Sequence, residues 1–309
     1  PVVRAEDLCF SEEGVKHALR HLLIPWWNAY SFFVTYARVD QWVPGSKSKV
    51  PGSENLLDRW IMSSLERLTG EVVKAMDAYD LQQAVRPFIR FVEDLTNWYI
   101  RRSRRRFWKS SDDADKAQAY ATLYEVLVRL SKIAAPFVPF TSEAIYRNLR
   151  TDDMPESVHL CDFPLSDRSA RDLDLEAQMD DVMAVVGLGR QLRADNDLKV
   201  RQPLKGLHVV SRDAARLKRI EALRELVEEE LNVRAVWFGS DESALATFSA
   251  KANFSRLGPR LGGAMKKAAG LIQKLDVESL ETLLRGESIS IDVDGKSVEL
   301  TADDVVVNR

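Results

Sequence analysis

Cysteine is nearly absent: the chain has Cys9 and Cys161 and no others. Two thiols exclude a disulfide scaffold and any zinc module that needs four thiolates. Fourteen glycines and eleven prolines in 309 residues are too few for a collagen-like or low-complexity chain. No apolar run approaches the roughly 20 residues of a membrane span. An excess of one charge is also missing: 44 Lys and Arg stand against 47 Asp and Glu, a net charge of −3. The chain as a whole is therefore not a basic nucleic-acid protein. Its first residues, Pro1-Val2-Val3-Arg4-Ala5-Glu6-Asp7, carry no signal or transit character and no Met. The expectation is a piece of a longer chain from a reducing, cytoplasmic setting.

What is present is helical periodicity. Apolar residues at Val15, Leu19, Leu22, Trp26, Tyr30 and Phe33 mark a helix over 11–38, with a bend or a break at Pro25. Trp42–Ser53 has two Pro-Gly pairs and reads as a loop. Further helices are expected at 53–77, from Asp80 past Pro87 to Tyr99, at 114–135 and at 141–149. Four to six amphipathic helices with short links predict a bundle. Beyond Cys161 the pattern changes. A polar connection over 166–171 leads to a helix at 175–194. Strand-like runs follow at 206–210, 233–238, 288–293 and 297–300, with helices at 217–231 and 277–284 between them. Asp294-Gly295 marks a hairpin. The fold class is mainly α: a helical bundle followed by a smaller α+β domain. The expected divisions are 1–52, a linker region; 53–165, the bundle; and 166–309, the second domain.

Charge is concentrated locally. Residues 81–109 hold 8 basic and 2 acidic side chains, 190–219 hold 9 and 3, and 251–274 hold 6 and none. The first window ends in Asn97-Trp98-Tyr99-Ile100-Arg101-Arg102-Ser103-Arg104-Arg105-Arg106-Phe107-Trp108-Lys109. Guanidinium forks pair with phosphates, and aromatic faces stack on splayed bases, so this run suits RNA. The competing reading has the cations cap a helix end and pair with Asp112, Asp113 and Asp115, with the aromatics as core. Tyr99 is expected to face the core in either case. That the three basic windows share one face is a further expectation.

Catalytic signals are weak. His17 and His21 have metal-ligand spacing, with Cys9 a conceivable third ligand, but solvated helix-face histidines explain them better. Gly258–Gly263 has P-loop glycines, yet Ala264-Met265 stands where Lys-Ser or Lys-Thr is needed, so a basic turn opening a helix is the better reading. Gly187-Leu188-Gly189 lies mid-helix, without the strand of a dinucleotide site. Asp152-Asp153 and Asp180-Asp181 read as solvated faces or helix starts. No catalytic or metal site is expected.

Several blocks in order resemble the C-terminal part of isoleucyl-tRNA synthetases. They are Pro1–Leu8, Asn28–Phe33, Leu57–Ile61, Asn97–Trp108, Ala135–Phe140, Asn196–Leu204 and Leu257–Gly262, and they span the chain. The resemblance implies the helical anticodon-binding domain of class I synthetases, with 1–52 the end of a stem-contact region. It implies a fragment lacking the H-I-G-H and K-M-S-K-S motifs and hence no ligase chemistry of its own. The parent would join isoleucine to its tRNA with ATP and magnesium, with catalytic and editing domains on the same chain and any zinc outside this fragment. Two cysteines match the longer, eukaryote-like branch rather than members with a C-terminal zinc module. The implied partner is isoleucine tRNA, gripped by a cytoplasmic monomer away from membranes. Expected phosphate contacts are Arg101, Arg102, Arg104, Arg105, Arg106 and Lys109, with Trp98 and Trp108 stacking. A second surface is expected at Lys199, Arg201, Arg256, Arg260, Lys266 and Lys267. Alternatives are the valyl-tRNA synthetase counterpart and a helical protein-interaction scaffold whose basic windows pair with its own acids.

Overall fold

A computed structural model describes residues 11–45, 53–109, 113–240, 249–284, 286–293 and 295–308. The chain divides into two compact units, 1–180 and 181–309.

In unit 1, α1 (Glu12–Ala18) and α2 (Ile24–Val39) run on through a π-helical turn at Leu19–Leu23. Pro25 has no N–H to give a preceding carbonyl, and the wide turn just before it accommodates the proline without a break in the helix. Trp26, Ala29, Tyr30, Phe33 and Ala37 form the buried stripe of α2. Asn55 caps α3 (Leu56–Asp77), accepting from Leu57 N–H at 3.0 Å. Asp80 caps α4 (Leu81–Glu93) through Gln83 N–H, also at 3.0 Å. A second π-helical stretch, Asp94–Ile100, joins α4 to α5 (Arg101–Lys109) without a break. Next come α6 (Asp113–Ala134) and α7 (Pro139–Leu149). Trp60, Ile61, Leu65, Leu68, Leu95, Leu123 and Leu127 fill the core.

The polar connection before α8 (Leu173–Asp195) is fastened to α3 by buried carboxylates. Glu66 accepts Arg129 Nη1 (2.5 Å) and Asp167 N–H (2.9 Å). Glu176 accepts Ser63 Oγ (2.5 Å) and the forked guanidinium of Arg171 (3.0 and 2.6 Å). Burial opposes ionisation of Glu176, but Arg171, Ser63 and Arg67 outweigh it and hold its pKa below the ordinary value. These bonds hold the first turns of α8 in unit 1, which runs to residue 180.

Among the described residues, unit 2 holds three two-stranded sheets. In the first, β1 (Leu207–Val210) pairs in parallel with β2 (Val236–Gly239), with α9 (Ala214–Ala222) and α10 (Arg224–Leu231) between them. The expected single helix 217–231 is broken at Leu223 (φ −119°). Next, β3 (Ser249–Ala252) pairs antiparallel with β6 (Val305–Asn308), a pairing the sequence did not suggest. Lastly, β4 (Ile289–Val293) and β5 (Lys296–Leu300) form the expected hairpin. Gly295 takes φ +78° there, and its N–H donates to Asp292 Oδ1 (2.8 Å), while Asp294 lies outside the described residues. Between them lie α11 (Phe254–Leu261), α12 (Met265–Ile272) and α13 (Val277–Leu284).

Asp94, at the start of the π-helical stretch, is buried, with Arg67 and Arg90 at 3.7 and 3.9 Å. Burial pushes its pKa up to about 7, against the pull of Arg90 and Arg67. The folded chain thus holds a proton that the unfolded chain, with an ordinary carboxyl near 4, releases. Stability from this group is present below about pH 4 and is lost as pH rises toward 7. Asp94→Asn is expected to shrink the gain in melting temperature between pH 8 and pH 5. An unchanged gain would contradict this.

Candidate nucleic-acid interface

The basic run forms the last part of a helix that is continuous from Leu81 to Lys109. Local bonding accompanies its π-helical stretch. Thr96 Oγ1 donates to Val92 O at 2.7 Å, a side-chain bond that competes with the backbone ladder. Arg101 N–H bonds to Thr96 O, five residues back, and Arg101 Nε takes Asn97 O at 2.7 Å. The wide turn buries Trp98, Tyr99 and Ile100 in succession. From there α5 has two faces. Ser103 and Phe107 point inward, and Phe107 meets Phe32 and Tyr120 edge-on at 5.1 and 4.9 Å. Arg101, Arg104, Arg105 and Trp108 point outward, at the i, i+3, i+4, i+7 spacing of one helical stripe.

One arginine turns the other way. Arg106 donates from Nη1 and Nη2 to the two oxygens of Asp58 at 2.7 and 2.9 Å. Its Nε reaches Asp115 Oδ1 and Oδ2 at 2.9 and 3.0 Å. Asp58 is 1% exposed and also accepts from Ser53 Oγ (2.8 Å) and Tyr99 Oη (2.9 Å). Burial alone would depress the guanidinium's pKa, but the bonds to Asp58 and Asp115 outweigh it and raise the value. The Tyr99 phenol is driven well above its usual range by burial and by the Asp58 charge. Arg106 is therefore an internal tie, and the expectation that it meets phosphate gives way: its donors already face two carboxylates. Trp98, 8% exposed, is likewise core rather than a stacking surface.

The other expected contacts are placed as follows. Arg104 and Arg105 are exposed and make no ion pair or hydrogen bond among the described residues. Arg101 is exposed and Arg102 half-buried, each with partners. Trp108 is 50% exposed, with its ring 6.0 Å from that of Tyr36. The side chain of Lys109, like those of Asp112 and Asp113, lies outside the described residues.

In unit 2, Lys199 and Arg201 are exposed on the segment between α8 and β1. That segment is held by Arg193, which sequence reasoning passed over. Arg193 is 4% exposed, and its guanidinium donates to the carbonyls of Lys199 (3.0 Å), Gln202 (3.1 Å), Leu231 (2.5 Å) and Asn232 (3.4 Å). Arg256 and Arg260, on α11, are committed to acids. Arg256 pairs with Asp303, while Arg260 reaches Asp304 Oδ2 and Glu299 O, both at 2.9 Å. Burial would raise the pKa of Asp304, but Thr301 N–H and Arg260 hold it below the ordinary value. Lys266 and Lys267 are exposed on α12.

Asp58 and Arg193 each had a signal. Asp58 falls on the apolar stripe of α3, three residues before Ile61 and seven before Leu65. Arg193 continues the stripe Met179, Val182, Val186 of α8. A lone charge on an apolar stripe needs an internal partner.

The rings of His17 and His21 lie 4.4 Å apart, Cys9 is outside the described residues, and no group of three metal-ligating side chains occurs among the described residues. A strand does precede the Gly258 run, namely β3, but Gly258 lies inside α11 and no phosphate loop forms. Gly189 serves packing: a Cβ there would meet Leu231 Cδ1 at 2.4 Å.

Residues 58–210 match the family of anticodon-binding domains of tRNA ligases. Along its whole length the chain is 46% identical, over 319 residues, to the isoleucine–tRNA ligase of Treponema denticola. It is 48% identical over 309 residues to that of Protochlamydia amoebophila, and 41% over 307 residues (99% of the chain) to that of Chlamydia abortus. The chain spans 29–30% of the length of these relatives.

Arg106→Met would leave the Asp58 carboxylate buried without its counter-charge, a loss on the order of 3–5 kcal/mol. We expect a large fall in melting temperature for Arg106→Met and almost none for Arg104→Ala or Arg105→Ala. Equal falls in thermal denaturation would contradict the two-faced helix.

Proposed function

We propose that the chain, a C-terminal part of an isoleucine–tRNA ligase that carries the anticodon-binding domain, grips the anticodon stem-loop of isoleucine tRNA. The observation that carries the reading is the outward stripe of Arg101, Arg104, Arg105 and Trp108, opposite a face locked into the core by Arg106. Guanidiniums on a rigid helix meet phosphates at little cost in side-chain order, and an exposed indole offers a stacking face. Lys199, Arg201, Lys266 and Lys267 supply further phosphate contacts on unit 2. The chain positions the tRNA, while the chemistry belongs to other domains of the same polypeptide. Those domains activate isoleucine with ATP and magnesium and transfer it to the tRNA end, in the cytoplasm and as a monomer. No helix among the described residues is long and apolar enough to cross a membrane. The relatives matched along the whole chain are isoleucine enzymes, so the valyl counterpart is not favoured.

Phosphate contacts release counterions, so the logarithm of affinity for tRNA should fall linearly with the logarithm of salt concentration. Changing Arg104 and Arg105 to Ala should flatten that line by about 0.7–0.9 per lost contact. Tight tRNA binding with an unaltered slope in the double variant would refute the assignment. Loss of folding with binding unaffected would favour an internal scaffold role.

A further inference from the structure

We propose that the open face of the β1–β2 sheet is a stacking platform for an unpaired RNA base, built from Trp237 and His208. The proposal rests on the tRNA-binding reading and extends it past the matched domain, which ends at residue 210, to Trp237 on β2.

In the parallel register His208 stands beside Trp237, and their rings stack with centroids 4.7 Å apart at 28°. The same strands bury Val209 and Val236 on their other face. Trp237 nevertheless stays 44% exposed, and His208 is exposed. The indole is held in place: a Cβ on Gly206 would meet its Cζ3 at 2.0 Å and its Cη2 at 2.4 Å. Glycine at that point lets the ring lie against the neighbouring strand. A tryptophan braced on one side by bare backbone and on another by an imidazole is held rigid, and the stacked pair stays exposed at both residues. An unpaired base can stack there with little loss of side-chain freedom.

The surroundings favour RNA over an apolar protein partner. Lys205 and Arg234, both exposed, precede the two strands. Residues 196–210 hold Lys199, Arg201 and Lys205 against a single acid, Asp197. Arg193 joins the carbonyls of Lys199 and Gln202 to those of Leu231 and Asn232, so the cationic segment and the approach to β2 share one anchor. Aromatic stacking bordered by positive charge is what single-stranded nucleotides require.

The test measures tRNA affinity of the full chain at several salt concentrations for the parent, Trp237→Ala, Trp237→Phe and His208→Ala. Stacking predicts a loss of roughly ten-fold or more for Trp237→Ala, with the salt slope unchanged and most of the affinity restored by Phe. Parental affinity in Trp237→Ala, or a loss that Phe does not rescue, overturns the platform and leaves the arginine stripe standing. Failure of the parent itself to bind tRNA overturns the underlying reading, and the platform with it. Should Trp237→Ala not fold, photo-cross-linking of the unaltered chain to tRNA containing 5-iodouridine replaces it. A cross-link on the peptide carrying Trp237 supports the platform, and cross-links confined to other peptides overturn it.

Discussion

The bond between Asp58 and Arg106 decides which way the basic helix faces. Five arginines lie between 101 and 106, and helical geometry alone does not choose which of them turns inward. A carboxylate with almost no solvent access, accepting four hydrogen bonds, makes the choice. Its own desolvation would be costly without a full set of donors, and a bidentate guanidinium supplies the strongest two. A buried pair of this kind contributes more to orientation than to net stability. Once Arg106 is drawn inward beside Tyr99, the turn at Arg101, Arg104, Arg105 and Trp108 must face solvent. Like charges along that stripe then have no internal compensation at Arg104 and Arg105 among the described residues, and a polyanion is the natural complement.

Unit 2 uses a related device with different chemistry. Arg193 is buried against four backbone carbonyls drawn from two segments of the chain. A planar guanidinium suits this task because its donors diverge in a fixed fork. The consequence is again positional. The segment from Asn196 to Leu204 has little regular structure, yet its backbone is tied at Lys199 and Gln202, so its exposed cations sit on a fixed frame. In both units, therefore, a buried arginine orders the exposed ones.

Much of this organisation was legible in the sequence. Apolar stripes at three-and-four spacing marked α2, α3, α4, α6 and α7, because amphipathic periodicity is a local signal, whereas the charged α5 continues a helix expected to end at Tyr99. Asp294-Gly295 announced a hairpin through equally local chemistry. The strand pair β3–β6 was not legible: Ser249-Ala250-Lys251-Ala252 has no strand-forming character, and its partner lies more than fifty residues away. Nor was the break at Leu223, where no proline or glycine marks the end of a helix. At the candidate site, composition identified the cationic helix end but not its handedness. Trp98 lies within the π-helical stretch Asp94–Ile100 and Arg106 follows it, and the wider turn there departs from the faces a 3.6-residue period would give.

The most direct test places a cleavage reagent on the outward stripe without removing an arginine. Asn97 is exposed on that side, one turn before Arg101, and its side chain has no assigned role. In a background with Cys9→Ser and Cys161→Ser, Asn97→Cys would carry a tethered iron chelate that generates hydroxyl radicals beside bound tRNA. Strand scission confined to the anticodon stem-loop is the predicted result. Scission centred on the acceptor arm, or none above that of free chelate while tRNA remains bound, would contradict the account.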